Sequence, residues 1–137
     1  MLLTICYISN ASEKLKSEDI EMLMVETKAF NNANNIGGIL IYSDLTFFQI
    51  IEGEYDLIKS LFKKIEQDYR HYNVLKILET KSTKMRYERF NSKYITYHRE
   101  EANIELQKFL EIDDNNMSDH ELHNLVVYQS KVLSNIY

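Results

Sequence analysis

Residues 37–54 read GGILIYSDLTFFQIIEGE, and this stretch carries the pattern that decides the fold. Two apolar runs, residues 38–42 and 47–52, flank a short turn at Ser43 and Asp44, which predicts two strands joined as a hairpin. Gly53 is expected to break the second strand. A polar side chain, Gln49, stands within the second apolar run.

The elements on either side of the hairpin complete a sheet. Residues 2–9 (LLTICYIS) are predicted as a buried strand. A helix should follow with Ser17 as its N-cap. A second helix is predicted over 55–67, and further strands over 74–79 and 90–97. The inward-facing residues of the two helices are expected to be Ile20, Leu23, Met24, Thr27, Leu57, Ile58, Leu61, Phe62 and Ile65.

This order predicts an α+β fold, a ferredoxin-like βαββαβ sheet with one extra strand and both helices on one face. In that topology the first and third strands are neighbours at the centre of the sheet. We expect residues 1–99 to form this domain and residues 100–137 a helical extension. In the extension, a short helix over 104–111 precedes a last helix that opens with a capping box at Ser118 and Glu121.

Composition excludes several classes of function. The chain has 137 residues and a formal net charge of -5 with no segregated basic patch, which argues against nucleic acid or an acidic membrane as partner. The single cysteine, Cys6, suits a reducing cytoplasm. No stretch approaches the roughly 20 apolar residues of a membrane span. The histidines show no metal-ligand spacing, so no metal is expected.

Gln49 and Tyr7 are the polar residues that stand out in the apolar strands. On a period of two, Gln49 shares a buried face with Phe47 and Ile51, and Tyr7 shares one with Ile5. If the two strands are neighbours, the tyrosine hydroxyl and the glutamine amide meet across the sheet. A buried amide needs such a partner, because leaving it unpaired costs about 1–3 kcal/mol. A purely structural core pair satisfies the same pattern.

Asn31 is a third polar residue, at the end of the first predicted helix. Its side chain is placed to point toward the helix-covered face of the sheet. The surrounding segment, NNANN, is equally typical of an ordinary helix C-terminus.

Taken together, these residues resemble the BLUF family of blue-light sensors. That family has a tyrosine late in the first strand, an asparagine ending the first helix, and then approximately TG-LLY-(turn)-FFQ-LEG. This chain has Tyr7, Asn31 and GGILIYSDLTFFQIIEGE in the same order, followed by DYRHYNV, which is similar to the family's D-RH-NV. The resemblance covers roughly the first hundred residues.

The resemblance implies a flavin, FAD with FMN as the alternative, whose ring lies between the two helices. Gln49 would then bind both the flavin and Tyr7, while Asn31 would bind the pyrimidine edge of the ring. Light would drive electron and proton transfer from Tyr7 to the flavin. Gln49 would be left rotated or tautomerised with a new hydrogen bond to the flavin carbonyl.

The resemblance also implies cofactor-binding roles for Lys64, Asp68, Arg70 and His71, at the ribityl and phosphate end. Lys64 and Asp68 are four residues apart, which would place them on one helix face. His71 falls in the RH part of the motif. An ordinary solvated helix face followed by a turn is the alternative interpretation of these residues.

The chain departs from the family at several positions. Phe30 stands where another polar residue is frequent, and Gly37 stands where threonine is common, a change we expect to be tolerated. The family's frequent Trp-x-Met falls at Lys93 and Ile95 here. In the family, those two positions are implicated in relaying the signal from Gln49 to the sheet. The resemblance therefore does not indicate how this chain would pass on its signal.

The resulting hypothesis is a light sensor without catalytic activity. It would signal through a separate partner protein or through rearrangement of a homo-oligomer. The alternative is a non-photoactive ferredoxin-like binding module, because fold alone does not fix function. A flavin enzyme is the least favoured interpretation, since no acid, base or nucleophile is arranged around a substrate. The sequence leaves open the downstream partner, the active state and the number of subunits.

Overall fold

A computed structural model describes residues 1–43, 45–87 and 90–94 of the chain. Ile95 and the predicted helical extension over 100–137 lie outside these residues.

The described residues form five strands and two helices. The sheet has the order β4-β1-β3-β2-β5, with β2 and β5 parallel and every other neighbouring pair antiparallel. The predicted ferredoxin-like α+β fold is confirmed, including the neighbouring first and third strands and the extra strand. In chain order the elements are β1 (Leu2–Ala11), α1 (Ser17–Ala33), β2 (Gly37–Ser43), β3 (Thr46–Glu54), α2 (Tyr55–Glu66), β4 (His71–Ser82) and β5 (Phe90–Tyr94).

Two local predictions were wrong. Gly53 does not break β3, which continues to Glu54 because the antiparallel ladder with β1 pairs Leu3 with Gly53. Ser17 is the first helical residue rather than the N-cap of α1. Lys16 holds the N-cap position, and its N–H donates to the carboxylate of Asp19 at 2.9 Å. Asp19 thus makes the bond that an acidic residue at the third helical position makes in a capping box.

Alternation along the strands creates two apolar faces. The face beneath the two helices holds most of the large core side chains, and the inward stripes predicted for both helices pack against it. The opposite face holds a second buried cluster that consists of Cys6, Ile39, Ile41, Phe48, Ile50 and Tyr87. Burial raises the pKa of the Cys6 thiol to about 12, so the thiol stays protonated and unreactive. Neither helix in the described part of the chain has the length and apolar character needed to cross a membrane.

A buried carboxylate anchors the segment between β4 and β5 to the opposite face. Glu52 is fully buried and accepts hydrogen bonds from the Thr4 hydroxyl at 2.6 Å and from the backbone N–H groups of Arg86 and Tyr87 at 2.6 and 2.9 Å. The Arg86 guanidinium lies 3.4 Å from the same carboxylate. This pairing compensates the cost of burying both charges.

Gly37 gives that same segment room to cross the sheet. A Cβ added to Gly37 would lie 1.3 Å from the carbonyl oxygen of Tyr87, which is a backbone atom and cannot rotate away. We expect Gly37→Ala to lower the free energy of unfolding by about 2 kcal/mol through overpacking. Urea denaturation would measure this. Gly53→Ala is the matched control, since the atoms nearest its Cβ are side-chain atoms of Ile58 and Ile36, at 3.3 Å or more. Equal effects in both variants would contradict the explanation.

Candidate functional site

A cavity of about 320 Å³ lies between α1 and α2, above the centre of the sheet. This volume falls within the range of small-molecule sites. The walls are largely apolar, with a few polar groups from the sheet, the end of α1 and the turn after α2. The lining residues are Tyr7, Leu23, Glu26, Thr27, Phe30, Asn31, Leu40, Phe47, Gln49, Leu61, Lys64, Ile65, Asp68, Arg70 and His71.

Tyr7 and Gln49 form a hydrogen-bonded pair at the floor of the cavity. They are directly opposite each other in the β1–β3 ladder, and the Tyr7 hydroxyl donates to Oε1 of Gln49. Both side chains are 3% exposed. Burial, followed by the negative charge of Asp68, raises the pKa of Tyr7 above its ordinary value. The phenol therefore keeps its proton, and the carbonyl end of Gln49 is held toward it.

Asn31 reaches the cavity from the last turn of α1. The side chain is 1% exposed, and its Nδ2 has no hydrogen-bond partner among the described residues. Buried polar groups are nearly always paired, so an unpaired amide that lines a cavity indicates a missing acceptor there. Asn31 is thus placed to donate to a polar ligand edge.

Charged residues gather at one end of the cavity. Arg70 binds Asp68 through Nη2 at 2.6 Å and through Nε at 3.0 and 3.1 Å, and its Nη1 lies 3.8 Å from Glu26 of α1. The side chains of Arg70 and Asp68 are 30% and 26% exposed. Lys64, on α2, also lines the cavity. Because α2 ends at Glu66, Asp68 lies in the following turn, and the prediction that it shares a helix face with Lys64 was wrong.

The Asp68–Arg70 pair predicts a pH-dependent contribution to stability. Partial burial acts to raise the pKa of Asp68, but the hydrogen bonds from Arg70, together with the charges of Arg70 and His71, hold the pKa below its ordinary value. A carboxyl whose pKa is lower in the folded protein than in the unfolded chain stabilises the folded state at pH values above its unfolded-state pKa of about 4. This stabilisation is lost as the pH falls through the folded-state pKa. We expect Asp68→Asn to cost about 1 kcal/mol at pH 7, since the pair is partly solvated.

Urea unfolding between pH 7 and pH 3 checks this expectation. The difference between wild type and Asp68→Asn should be constant above about pH 5 and shrink below about pH 4. Asp56→Asn is a control at an exposed carboxylate in the first turn of α2. A difference that grows as the pH falls would have the wrong sign for this mechanism.

His71 borders the cavity, but its ring nitrogens are engaged by the protein. Nε2 faces the carbonyl oxygen of Ile65, so this nitrogen carries a proton and donates it. Nδ1 lies 2.7 Å from the Ser9 hydroxyl. The ring also makes edge contacts with Tyr7 and Phe47, each at 6.2 Å between centroids. His71 thereby ties the end of α2 to β1 and positions the wall beside Tyr7.

The structure brings Tyr7, Asn31, Gln49 and the four residues of the predicted phosphate end around one cavity. Of the two residues predicted to relay the signal, Lys93 belongs to β5 and Ile95 lies outside the described residues. The sequence reasoning missed Glu26, and it took Leu23, Thr27, Leu61 and Ile65 only as helix core. Thr27, a polar residue within the apolar stripe of the first helix, was the sequence feature that could have indicated a cavity on this face. Phe30, 47% exposed, also lines the cavity.

The donors and acceptors of the cavity suit a planar heteroaromatic ligand. Asn31 supplies an amide nitrogen without a hydrogen-bond partner among the described residues. Gln49 supplies a carboxamide whose oxygen is bound by Tyr7. The walls are largely apolar. A flavin ring, which has an apolar face and a polar pyrimidine edge, fits this set. Among the described residues, no group of three or more histidine, cysteine or acidic side chains could hold a metal ion.

Comparison with known proteins gives a family match over the same part of the chain. Residues 2–93 match the profile of the BLUF family, described as sensors of blue light using FAD. The blue light- and temperature-regulated antirepressor BluF of Escherichia coli (strain K12) is 32% identical over 78 residues, which cover 57% of this chain and 19% of that protein. The photoactivated adenylate cyclase subunit alpha of Euglena gracilis is 36% identical over 76 residues, covering 56% of this chain and 8% of the relative. The chain thus matches a fifth or less of the length of these two relatives.

A solved structure is similar over most of its own length. The photo-activated state of BlsA superposes with a TM-score of 0.67 at 27% identity, covering 98% of this chain and 96% of that one.

Proposed function

The chain belongs to the BLUF family of blue-light sensors, and we propose that it is a flavin-binding photoreceptor whose switch is the Tyr7–Gln49 pair. The observation that carries this proposal is the hydrogen bond between these two buried side chains at the floor of the cavity. The pair is buried and borders the ligand space, and its glutamine carboxamide can present either of two chemically different ends.

The flavin, when bound, supplies the absorption of blue light and the capacity to accept an electron and a proton. Tyr7 is the donor placed for this step. Its hydroxyl keeps its proton in the dark, since burial raises its pKa. The hydrogen bond to Gln49 gives that proton a defined path toward the cavity. Phe62, with its ring centroid 5.7 Å from that of Tyr7, fixes the orientation of the phenol.

Gln49 is the element with two states. In the structure its Oε1 accepts from the Tyr7 hydroxyl. Rotation or tautomerisation of the carboxamide would replace this bond and change the polar group that Gln49 presents to the ligand. A change of one hydrogen bond in a low-dielectric site can bias a two-state element, because unpaired buried polar groups are costly.

The remaining lining residues are proposed to hold the cofactor. Asn31 donates to the pyrimidine edge of the ring, for which its unpaired Nδ2 is the support. Lys64 and Arg70 bring positive charge to the ribityl and phosphate end, with Asp68 holding Arg70 in place. His71 shapes the wall. We propose FAD as the cofactor, with FMN as the alternative.

The proposed output is a signal and not a reaction. We propose a cytoplasmic sensor without catalytic activity, acting through a separate protein or through rearrangement of its own homo-oligomer. We propose no nucleic-acid, membrane or metal partner. Lys93 and Ile95 occupy the positions that would relay the signal within the sheet. Their side chains differ from the tryptophan and methionine frequent in the family.

A visible absorption spectrum, recorded before and after blue illumination, tests the proposal. We expect a purified yellow protein whose flavin band shifts slightly to the red and recovers in darkness. Extraction of the cofactor and chromatography would separate FAD from FMN. A colourless protein that cannot be loaded with flavin would leave only a ferredoxin-like binding module. Bound flavin without a shift would refute the Tyr7–Gln49 switch.

A further inference from the structure

The side chain of Asn32 clamps the main chain of Phe90. Its Nδ2 donates to the Phe90 carbonyl oxygen at 3.3 Å, and the Phe90 N–H donates to its Oδ1 at 2.9 Å. A carboxamide has one donor end and one acceptor end, so it satisfies both backbone groups of a single residue, as a neighbouring strand would. This clamp joins the last turn of α1 to the first residue of β5.

Asn31 and Asn32 face different partners from the same turn of helix. Consecutive side chains on an α-helix are about 100° apart, so Asn31 enters the cavity while Asn32 reaches β5. The Ile36 N–H donates to the Asn31 carbonyl oxygen at 2.8 Å, which fixes the end of this turn. A change in the hydrogen bonding of Asn31 therefore acts on the backbone that carries Asn32.

The clamp adds two hydrogen bonds from outside the sheet to the start of β5. This strand has five residues and lies at the edge of the sheet, where β2 is its ladder neighbour among the described strands. Phe90 is fully buried in the helix-side core. Short edge strands open at low free energy, so two hydrogen bonds from outside the sheet change their protection measurably.

We propose that Asn32 is the positioning residue that passes a change at the cavity from α1 to β5. The proposal rests on the proposed photoreceptor function, since it supplies the change at the cavity. This connection runs through main chain and one carboxamide. It does not need a tryptophan at position 93 or a methionine at position 95, where this chain has Lys93 and Ile95.

Hydrogen–deuterium exchange of the flavin-bound protein, in darkness and under blue light, tests the proposal on the peptide that contains residues 90–94. In wild type, illumination should change deuterium uptake in this peptide. In Asn32→Ala, dark exchange should rise about tenfold, and the light-dependent difference should disappear while the spectral shift remains. Asn34→Ala is the matched control: Asn34 lies at the same helix end but donates to Phe30 and not to β5. It should behave as wild type.

The outcomes separate the two proposals. A light-dependent difference of wild-type size in Asn32→Ala would overturn the clamp, and so would its equal loss in Asn34→Ala. A wild-type protein with a red shift but no change in β5 would also overturn it. Absence of the red shift in wild type would overturn the photoreceptor function itself. If Asn32→Ala fails to hold flavin, Asn32→Asp serves instead, because a carboxylate still accepts from Phe90 N–H but cannot donate to its carbonyl.

Discussion

Gln49→Leu is expected to abolish the light-induced red shift completely while the protein still binds flavin. Leucine has nearly the same volume but neither accepts from the Tyr7 hydroxyl nor presents a second polar end to the cavity. The apolar walls and Asn31 remain, so the ligand space persists. The variant leaves the Tyr7 hydroxyl without its acceptor, which should cost about 1–3 kcal/mol in the free energy of unfolding.

The measurement is the flavin absorption band before and after illumination, on protein loaded to equal flavin content. Gln67→Leu is the control: Gln67 is exposed at the C-cap of α2 and does not line the cavity. Tyr7→Phe should also lose the shift, because it removes the donor of the pair, whereas Tyr72→Phe on the exposed part of β4 should keep it. A red shift of wild-type size in Gln49→Leu would exclude this glutamine as the switch.

Glu52→Ala is expected to produce the largest loss of stability, about 4 kcal/mol in the free energy of unfolding. The Arg86 guanidinium, 6% exposed, would lose its carboxylate partner. The backbone N–H groups of Arg86 and Tyr87 would lose their acceptor as well, and so would the Thr4 hydroxyl. Such a variant removes the carboxylate that faces a buried guanidinium, which costs far more than a surface ion pair contributes.

Urea denaturation followed by far-UV circular dichroism would measure the effect. Glu79→Gln is the control. The Glu79 carboxylate meets Lys59 at 3.0 Å and Lys76 at 3.2 Å, but all three side chains are substantially exposed. Its loss should cost less than about 1 kcal/mol. Similar losses of unfolding free energy in the two variants would show that burial does not determine how much the Glu52–Arg86 pair contributes to stability.

The sequence predicted the sheet because strand alternation is a local property. In β3, the alternation places Phe47, Gln49 and Ile51 on one face, and the structure has them there. Strand and helix ends were less accurate. β1 extends to Ala11, and β4 begins at His71, because ladder pairing with a neighbouring strand lengthens both beyond their apolar runs.

The polar pair at the cavity and the polar cluster around Glu52 differ in how well the sequence predicted them. Tyr7 and Gln49 could be found from sequence, since each is a polar residue at an inward position of an apolar strand. Glu52 satisfies the same criterion on the opposite face, yet its partner Arg86 is 34 residues away in an irregular segment with no periodicity. Asn32 was hidden in an asparagine-rich helix end, where a capping role explains the residue type equally well.

By itself, the sequence determined the order of the elements, the faces of the strands and the set of polar residues placed inward, because these depend on neighbours along the chain. The tertiary structure alone decided which of those residues act together. It paired Glu52 with Arg86, and it left the Asn31 amide at the cavity without a hydrogen-bond partner among the described residues. It also engaged both ring nitrogens of His71 within the protein. Such pairings depend on distances between elements remote in sequence, which local patterns do not encode.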